Sequence, residues 1–295
     1  MLGGAICPND PTFGTQTNQN FLTMKKLFTS AIALTAVSLT YAQSNYDWTW
    51  QQGNGNTATV NQSGLQNNNN LYQVGDTNTA TIDQTGQINV NQARSEGDMN
   101  AIDVDQVGES NSNETNQYGN NNIGTANQNG FDNTLIQRQE GNSNVVVGIQ
   151  AGDYNYATQN QLGDGNRFSI AQLGDANQSF QKQVGDSNEG IAMQNGDSNY
   201  IHQDQGGDDN YATNTQNGNG NWGDSHQWGN DNISRALQNG NGNFLEQFQI
   251  GNGNLADDWQ IGNDNTGQIN QTGNGHIHWG TVFGNNNTMT VNQSN

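Results

Sequence analysis

The side chains best suited to chemistry in this sequence are its four histidines, His202, His226, His276 and His278. His276 and His278 are two residues apart. In a β-strand this spacing places both side chains on one face, where imidazole nitrogens can bind a metal ion. No third ligand accompanies the pair in the sequence, so a frayed terminal repeat is the simpler interpretation. Nucleophile–base and phosphate-loop spacings do not stand out either. The sequence therefore predicts neither an enzyme nor a cofactor.

Aspartates form a second candidate site, because they recur at every twenty-second position in two rows. Stacked on neighbouring strands, such carboxylates lie about 5 Å apart and can share calcium ions. They can equally be solvated turn caps that repel premature association. From Asn219 onward the same slot holds asparagine, which is unsuited to a calcium ladder. The two rows are Asp164, Asp186 and Asp208, and Asp153, Asp175 and Asp197.

Threonines suggest a third candidate, an ice-binding surface, which in flat solenoids consists of outward Thr-x-Thr arrays. The pairs Thr57/Thr59 and Thr79/Thr81 would begin such an array. The next equivalent slots hold alanine and aspartate, and then isoleucine and threonine. The array stops after two repeats, which disfavours ice binding.

The elements that must position these residues are repeats. From Gln51 the chain divides into 22 eleven-residue units without insertion or deletion, and Gln293 takes the first slot of the next unit. Each unit reads Gln-x-Gly-x-x-Asn and then five further residues. Glycine is present in all 22 units, asparagine is replaced only by His276, and glutamine is replaced by Ser95 and Val282. A hydrophobic content of 30% and a charged content of 12% would suit a disordered chain. Fixed periodicity instead indicates a repeat architecture.

Each unit is interpreted as one turn and one strand. Glycine at the third position is followed by aspartate or asparagine in 18 units, and both residue types tolerate the positive φ of tight turns. The strand that follows alternates with a period of two. In one unit Asn78, Ala80, Ile82 and Gln84 share the inner face, while the threonines and aspartate between them face outward.

A second, doubled period overlies the eleven-residue unit. The tenth slot holds mostly glutamine in later even-numbered units and small or apolar residues in odd-numbered units. A coil with two strands per turn produces this pattern, because residue i then stacks on residue i+22. The sequence therefore predicts an all-β, two-strands-per-rung β-solenoid of about 11 rungs with amyloid-like in-register stacking. At about 4.8 Å per rung it would be roughly 50 Å long.

Stacking gives the repeated amides and glycines structural roles. Inward amides can hydrogen-bond to their copies one rung away, and the resulting ladders supplement a thin apolar core. The predicted ladder glutamines are Gln51, Gln62, Gln73, Gln84, Gln106, Gln117, Gln128, Gln139, Gln150, Gln161, Gln172 and Gln183. The predicted ladder asparagines are Asn56, Asn67, Asn78, Asn89, Asn100, Asn111, Asn122, Asn133, Asn144, Asn155, Asn166 and Asn177. The predicted turn glycines are Gly53, Gly64, Gly75, Gly86, Gly97, Gly108, Gly119, Gly130, Gly141, Gly152, Gly163 and Gly174.

The N-terminal region is predicted to direct export. Residues 24–42, "MKKLFTSAIALTAVSLTYA", combine two lysines, a short apolar run and a cleavage site after Ala42, which is typical of a signal peptide. Residues 1–23 would then be an upstream mis-annotated segment, 43–50 a short N-terminal segment of the mature chain, and 51–295 the repeat domain. The mature chain would contain neither cysteine nor a membrane span. We expect it to be secreted.

Charge and end composition indicate the partner. A net charge of −20 argues against nucleic acid, which requires basic patches. The first unit, "QQGNGNTATVN", and the last, "VFGNNNTMTVN", are nearly as regular as the others. Edge strands are normally blunted by proline, lysine or bulges, but the repeats contain no proline and one lysine. Open edges predict head-to-tail addition of identical copies into a filament.

The repeat resembles that of the curlin family. The consensus Gln-x-Gly-x-x-Asn-x-Ala-x-x-x-Gln is similar to the curlin repeat, "QVGDTNTATIDQ" at 73–84 matches every fixed position, and the resemblance covers 51–293. It implies a major subunit of curli, the extracellular amyloid fibres that support bacterial biofilms and adhesion at the cell surface. It also implies a minor nucleator subunit and an outer-membrane secretion pore as partners. The chain departs from the family pattern in having the family alanine in five units only.

Two alternatives stay open. The chain could instead be a monomeric exported β-solenoid that binds ice, a surface or calcium. Outward aromatic residues, which are concentrated in the second half, could drive lateral bundling of fibres or simply form cross-strand pairs. These aromatic residues are Tyr156, Tyr200, Tyr211, Trp222, Phe244, Trp259 and Trp279.

Overall fold

A computed structural model describes residues 44–295, and all the regular secondary structure in that range is β-strand. The predicted segments 1–23 and 24–42, with the cleavage site after Ala42, lie outside the described residues. In chain order the strands are β1 (Tyr46–Gln52), β2 (Thr57–Leu65), β3 (Asn68–Val74), β4 (Thr79–Gln87), β5 (Val90–Glu96), β6 (Ala101–Glu109), β7 (Ser112–Tyr118), β8 (Ile123–Phe131), β9 (Thr134–Glu140), β10 (Val145–Ala151), β11 (Tyr156–Leu162), β12 (Arg167–Leu173), β13 (Gln178–Val184), β14 (Glu189–Asn195), β15 (Tyr200–Gly206), β16 (Tyr211–Asn217), β17 (Trp222–Trp228), β18 (Ile233–Asn239), β19 (Phe244–Ile250), β20 (Leu255–Ile261), β21 (Thr266–Thr272), β22 (Ile277–Phe283) and β23 (Thr288–Ser294).

The strands form two parallel sheets that wind around a common core. The twelve odd-numbered strands make one sheet, here called the odd sheet, and the eleven even-numbered strands make the even sheet. Each strand pairs with the strand two places along the chain, and residue i always lies opposite residue i+22, as in Gln84 opposite Gln106. The prediction of an all-β solenoid with two strands per rung and about 11 turns is confirmed.

The described solenoid begins one strand before the sequence repeat. Strand β1 includes residues of the segment 43–50, which the repeat pattern leaves out, and it pairs with β3 so that Gln51 lies opposite Gln73. Asn45 occupies the asparagine slot of this extra unit, because its Oδ1 accepts a hydrogen bond from Asn67 N at 3.0 Å. Among its described residues before Gln51, Asn45 is the one that follows the consensus.

The turns differ in one respect from the sequence interpretation. Positive φ occurs at the third residue, where glycine spans 102° to 140°, and at the fifth residue rather than the fourth. The fourth residue instead caps the turn of the previous rung, as when Asp98 Oδ1 accepts a hydrogen bond from Asp76 N at 2.8 Å. A carboxylate and a carboxamide both supply this oxygen, which explains why aspartate and asparagine interchange there.

The core lies between the two sheets and is narrow. Buried aliphatic residues such as Leu71, Ile82 and Ile201 alternate along the strands with buried asparagine and glutamine. The apolar residues form two clusters, one that ends at Ile201 and one that begins at Ala236. Between Ile201 and Ala236 the buried side chains are polar except for Ala212, so hydrogen bonds replace most of the apolar packing there.

Candidate functional sites

The glutamine ladders run along both edges of the core. In each, the side-chain Nε2 donates to Oε1 of the copy one rung later, as from Gln84 to Gln106 at 2.8 Å and from Gln139 to Gln161 at 3.2 Å. Nε2 of Gln84 also donates to the main-chain oxygens of Asn68 and Asn89. The side-chain amide of Gln84 therefore links its strand to the opposite sheet, through Asn68 and Asn89, and to the next rung, through Gln106. One such bond contributes only about 1 kcal/mol, but the arrangement repeats along the whole solenoid.

The asparagine column is bonded mainly to the main chain, in contrast to the copy-to-copy ladder that the sequence suggests. Asn78 Oδ1 accepts a hydrogen bond from Asn100 N at 2.9 Å, and its Nδ2 donates to Gly97 O at 2.7 Å. Side-chain bonds between copies supplement this contact in part of the column, as from Asn89 Nδ2 to Asn67 Oδ1 at 3.1 Å. The asparagines therefore fix each turn to the next one.

The turn glycines lie against one another. A Cβ atom added at Gly75 would be 2.1 Å from Gly97 O, and the same clash recurs at nearly every third-position glycine. Real Cβ atoms do not approach main-chain oxygens this closely, so the spacing between rungs requires glycine at this position. The third position is therefore glycine for two reasons, its positive φ and this close approach.

Ser95 interrupts one ladder and leaves a buried donor unpaired. Gln73 Nε2 is buried without a hydrogen-bond partner, because the residue one rung further is serine instead of glutamine. Ser95 Oγ still donates to Gln117 Oε1 at 3.2 Å. The ladder therefore resumes on the far side of the gap. An unsatisfied buried donor costs about 1–3 kcal/mol.

Replacing Ser95 with glutamine is expected to stabilise the protein. The new Oε1 would accept from Gln73, so Ser95→Gln should increase the free energy of unfolding by about 1–2 kcal/mol. Urea denaturation of the variant and the parent chain measures the difference. Ser63→Gln is the matched control, because Ser63 is exposed and its replacement should change stability by less than about 0.5 kcal/mol. A loss of stability in Ser95→Gln would contradict the proposed gap.

The histidine pair considered as a metal site does not act as a pair. His276 occupies the asparagine slot, and its Nε2 lies 3.1 Å from Thr272 O. His278 Nε2 instead lies 2.9 Å from Oδ1 of Asp258, whose other oxygen accepts from Gln247 Nε2 at 2.7 Å. Asp258 is fully buried in the core. Sequence alone did not identify this carboxylate, although an acidic residue in the inward tenth slot of its unit was a visible signal.

Asp258 is expected to make stability depend on pH. Burial raises the pKa of its carboxyl group above the ordinary value, against hydrogen bonds from Gln247 and His278 that lower it. Because the folded pKa is the higher one, the protonated Asp258 contributes its full stability below the unfolded pKa of 3.8. This contribution is lost as the pH rises through the folded pKa. Asp258→Asn should therefore raise the melting temperature at pH 7, with the gain disappearing below about pH 4. Asp264→Asn, on a turn, is the control, and an equal gain at both pH values would contradict the expectation.

The aspartate rows cap turns in the structure. Asp186 Oδ1 accepts a hydrogen bond from Asp164 N at 2.8 Å, and Asp197 Oδ1 accepts from Asp175 N at 2.9 Å. The row continues into asparagine with the same geometry, since Asn219 Oδ1 accepts from Asp197 N at 2.9 Å. One oxygen of each side chain is thus committed to the backbone, which accounts for the recurrence once per rung without calcium.

Outward aromatic rings form a continuous column on the odd sheet. The pair Tyr200–Trp222 is stacked with 4.0 Å between ring centroids, and Trp222 and Phe244 follow at 6.3 Å. Phe180 lies between Tyr156 and Tyr200, at 5.7 and 5.6 Å. Four of the seven aromatic residues named from the sequence, Tyr156, Tyr200, Trp222 and Phe244, therefore make cross-strand pairs, while Trp222 keeps 42% of its surface exposed. The other three, Tyr211, Trp259 and Trp279, lie on the even sheet, outside this column.

A second histidine cluster lies on the outer face of the odd sheet. His202 Nδ1 and His226 Nε2 each lie 3.0 Å from Asp224 Oδ1. Burial by itself raises the pKa of the Asp224 carboxyl group. Hydrogen bonds from the two histidines outweigh this effect and lower the pKa to about 2. The hydrogen bond to Asp224 raises the pKa of His226 against the opposing effect of burial. Sequence analysis named both histidines but missed their juxtaposition, whose signal was His-x-Asp followed two units later by Asp-x-His.

The two end rungs of the described solenoid present unpaired strand edges. Strands β1 and β2 form one end and β22 and β23 form the other. Large apolar side chains are exposed there, among them Trp48 at 43%, Trp279 at 69% and Phe283 at 68%. Such edges are templates for pairing with another strand.

Comparison with known proteins finds neither a family profile nor a curated protein that matches this chain. Within residues 44–295, no helix is long and apolar enough to cross a membrane.

Proposed function

We propose that this chain is a secreted structural subunit that polymerises head to tail into extracellular, curli-like amyloid fibres of a bacterial biofilm matrix. The single observation that carries the proposal is the match between the two end rungs. Strand β23 reads Thr-Met-Thr-Val-Asn-Gln-Ser and strand β2 begins Thr-Ala-Thr-Val-Asn-Gln-Ser, so six of these seven residues are identical. Stacking β23 of one copy under β2 of the next would extend the ladders without interruption.

Both ladders already point across this joint. Gln271 Nε2 donates to Gln293 Oε1 at 2.8 Å, and Gln62 Nε2 donates to Gln84 Oε1 at 2.8 Å. When β2 follows β23, Gln293 of one copy lies next to Gln62 of the other and the missing bond between them has the same geometry. Val291 likewise meets Val60, so the apolar part of the core also continues.

The joint requires the second copy to rotate by half a turn about the solenoid axis. Strand β23 belongs to the odd sheet and lies half a rung beyond β22, while β1 lies half a rung before β2. Placing β1 on β23 would leave the even sheet one strand short. Placing β1 on β22 and β2 on β23 instead continues both sheets without a missing strand. The odd sheet of one copy then continues as the even sheet of the next.

The second contact of this joint has complementary side chains. When the repeat positions are kept in register, β1 lies on β22 so that Trp48 meets Trp279 and Asp47 meets His278. Asp47 Oδ1 already accepts from Asn69 Nδ2 at 2.7 Å, and Oδ2, which accepts only a long bond of 3.4 Å from Thr49 Oγ1, can accept a second bond from the histidine. Aromatic stacking and a charge-assisted hydrogen bond both favour this pairing. The exposed rings of the end rungs would thus be covered.

Export and assembly partners complete the proposal. The signal-like segment 24–42 supplies the route out of the cytoplasm, and the resemblance to curlin repeats adds an outer-membrane pore and a minor nucleator subunit. The fibre itself would be the function, in adhesion and matrix formation. A monomeric binding module has less support, because the exposed threonine array covers only two rungs.

Incubation of the purified chain followed by electron microscopy and fibre diffraction tests the proposal. We expect unbranched fibres with reflections at about 4.8 Å and about 10 Å. A product that remains monomeric and soluble would overturn it.

Cysteine pairs test the half-turn joint in a Cys7→Ser background. Thr59→Cys with Thr290→Cys should form intermolecular disulfides, because adjacent strands place Cα atoms about 5 Å apart. Trp48→Cys with Thr290→Cys reports the unrotated joint, and preferential cross-linking of this pair would refute the rotation.

A further inference from the structure

Four outward side chains on two adjacent strands form a compact group, here called the His–Asp square. Strand β15 contributes His202 and Asp204, and strand β17 contributes Asp224 and His226. The register places His202 opposite Asp224 and Asp204 opposite His226. The residues between them, Gln203 and Ser225, face the core. Two imidazoles and two carboxylates thus alternate around the square.

The potential ligand atoms are already close together. Single ligand atoms of His202, Asp224 and His226 all lie within 4.8 Å of one another, and the two imidazole ring centroids are 5.0 Å apart. In a tetrahedral zinc site with bonds of about 2.0–2.1 Å, ligand atoms are about 3.3 Å apart. Small rotations of partly buried side chains would be enough to reach that spacing. The strands underneath, held by ladders on the opposite face, fix the four Cα positions.

The fourth member of the square has an unexplained oxygen. Asp204 Oδ1 is shielded from solvent and has no hydrogen-bond partner. A buried carboxylate oxygen is costly unless a donor or a cation satisfies it. Lys182 lies opposite Asp204 in the register but forms no ion pair with it among the described residues. The negative charge of Asp204 instead helps to raise the pKa of the neighbouring His226.

We propose that the His–Asp square binds one divalent transition-metal ion, with Zn²⁺ as the best match, through His202, His226 and Asp224, and with Asp204 as the fourth ligand. Imidazole nitrogen and carboxylate oxygen are common zinc ligands, and a set of four without an open position is typical of structural sites. The ion would join β15 to β17. It would do so beside the part of the core between Ile201 and Ala236, where Ala212 is the one buried apolar side chain.

Other groups around the square are compatible with a cation. Glu246 lies opposite Asp224 on the next strand and adds negative charge, while Phe180 and Phe248 flank the histidines in the register. The ring of Phe248 lies 5.8 Å from that of His226. The site is independent of fibre formation, because it lies within one copy, on the outer face and six strands away from the open end.

Calorimetric titration of the metal-free full chain with Zn²⁺ tests the proposal. We expect one equivalent of Zn²⁺ per chain and an increase in melting temperature. Cobalt substitution should give the visible absorption of a tetrahedral site. His202→Ala and His226→Ala should each weaken Zn²⁺ binding by at least about 100-fold, and Asp204→Asn by about 10- to 100-fold. His276→Asn, which restores the repeat residue elsewhere, is the matched control and should bind normally.

Several results would overturn zinc binding at the His–Asp square. Absence of zinc binding by the parent chain overturns the proposal, as does unchanged binding in both histidine variants. Should an alanine variant unfold, His226→Gln retains the size of the side chain and removes the ligand, and circular dichroism checks its fold. Equal losses in His276→Asn would show that binding is adventitious and not located at the square.

Discussion

Thr290→Pro is expected to leave the solenoid folded and to stop its polymerisation. The N–H of each seventh residue donates to the following rung, as Thr266 N does to Asn287 O at 2.8 Å. Parallel pairing alternates along the strand, so the N–H of Thr290 on β23 faces the open end. Proline removes this donor and adds a ring where the next copy must pack. The joint should weaken by at least about 2 kcal/mol, or about 30-fold.

Seeded elongation kinetics, followed by electron microscopy, measure this effect. Thr290→Val is the control, because it keeps the N–H and the β-branched shape and should polymerise normally. The proline variant still has an intact N-terminal end, so it should also act as a chain terminator and shorten parent fibres when added at low stoichiometry. Normal fibre growth by Thr290→Pro, with circular dichroism like that of the parent, would contradict head-to-tail growth through β23.

Gly251→Ala should be far more destabilising than Gly253→Ala, although the two glycines share one turn. Both have positive φ, 115° and 66°. A Cβ at Gly251 would lie 1.9 Å from Gly273 O, whereas a Cβ at Gly253 would meet nothing within 4 Å. Relief of the clash would displace Gly273 O from Asn254 Nδ2, which donates to it at 2.9 Å. We expect losses of at least about 3 kcal/mol for Gly251→Ala and about 1 kcal/mol for Gly253→Ala.

Urea unfolding monitored by circular dichroism compares the two variants. Because the substitutions are chemically identical and two residues apart, differences in unfolded-state entropy largely cancel. Similar losses for both would show that φ alone, and not the contact between successive turns, requires glycine at the third position. A fully unfolded Gly251→Ala chain would agree with the expectation, provided that Gly253→Ala remains folded.

The repeat made the fold predictable, because an eleven-residue period with a doubled period hidden inside it leaves few ways to stack strands. Most of strand β1 was not predictable from the same rule, since Asn45 is the only described residue before Gln51 that follows the consensus. The left-handed fifth residue was also missed. Sixteen units place a non-glycine residue there, Thr77 and Ile88 among them, so composition did not indicate positive φ.

The side-chain chemistry was less predictable than the fold. Residues such as Asp258 and His278 lie 20 positions apart, and their contact depends on core packing as well as register. The His–Asp square was within reach, because residues 22 apart must be neighbours once the coil has two strands per turn. Stacking the sequence in rows of 22 and reading the outward columns would have found it.

The uniform direction of the glutamine ladders has an electrical consequence. In every glutamine–glutamine bond of the ladders Nε2 points toward the C-terminal end and Oε1 toward the N-terminal end. Aligned amide dipoles add along their axis, as they do in an α-helix. Each glutamine ladder therefore carries a dipole with its positive pole toward β23, and the asparagine column, whose Oδ1 atoms accept hydrogen bonds from the following rung, opposes it. Copies joined head to tail would continue both columns in the same sense.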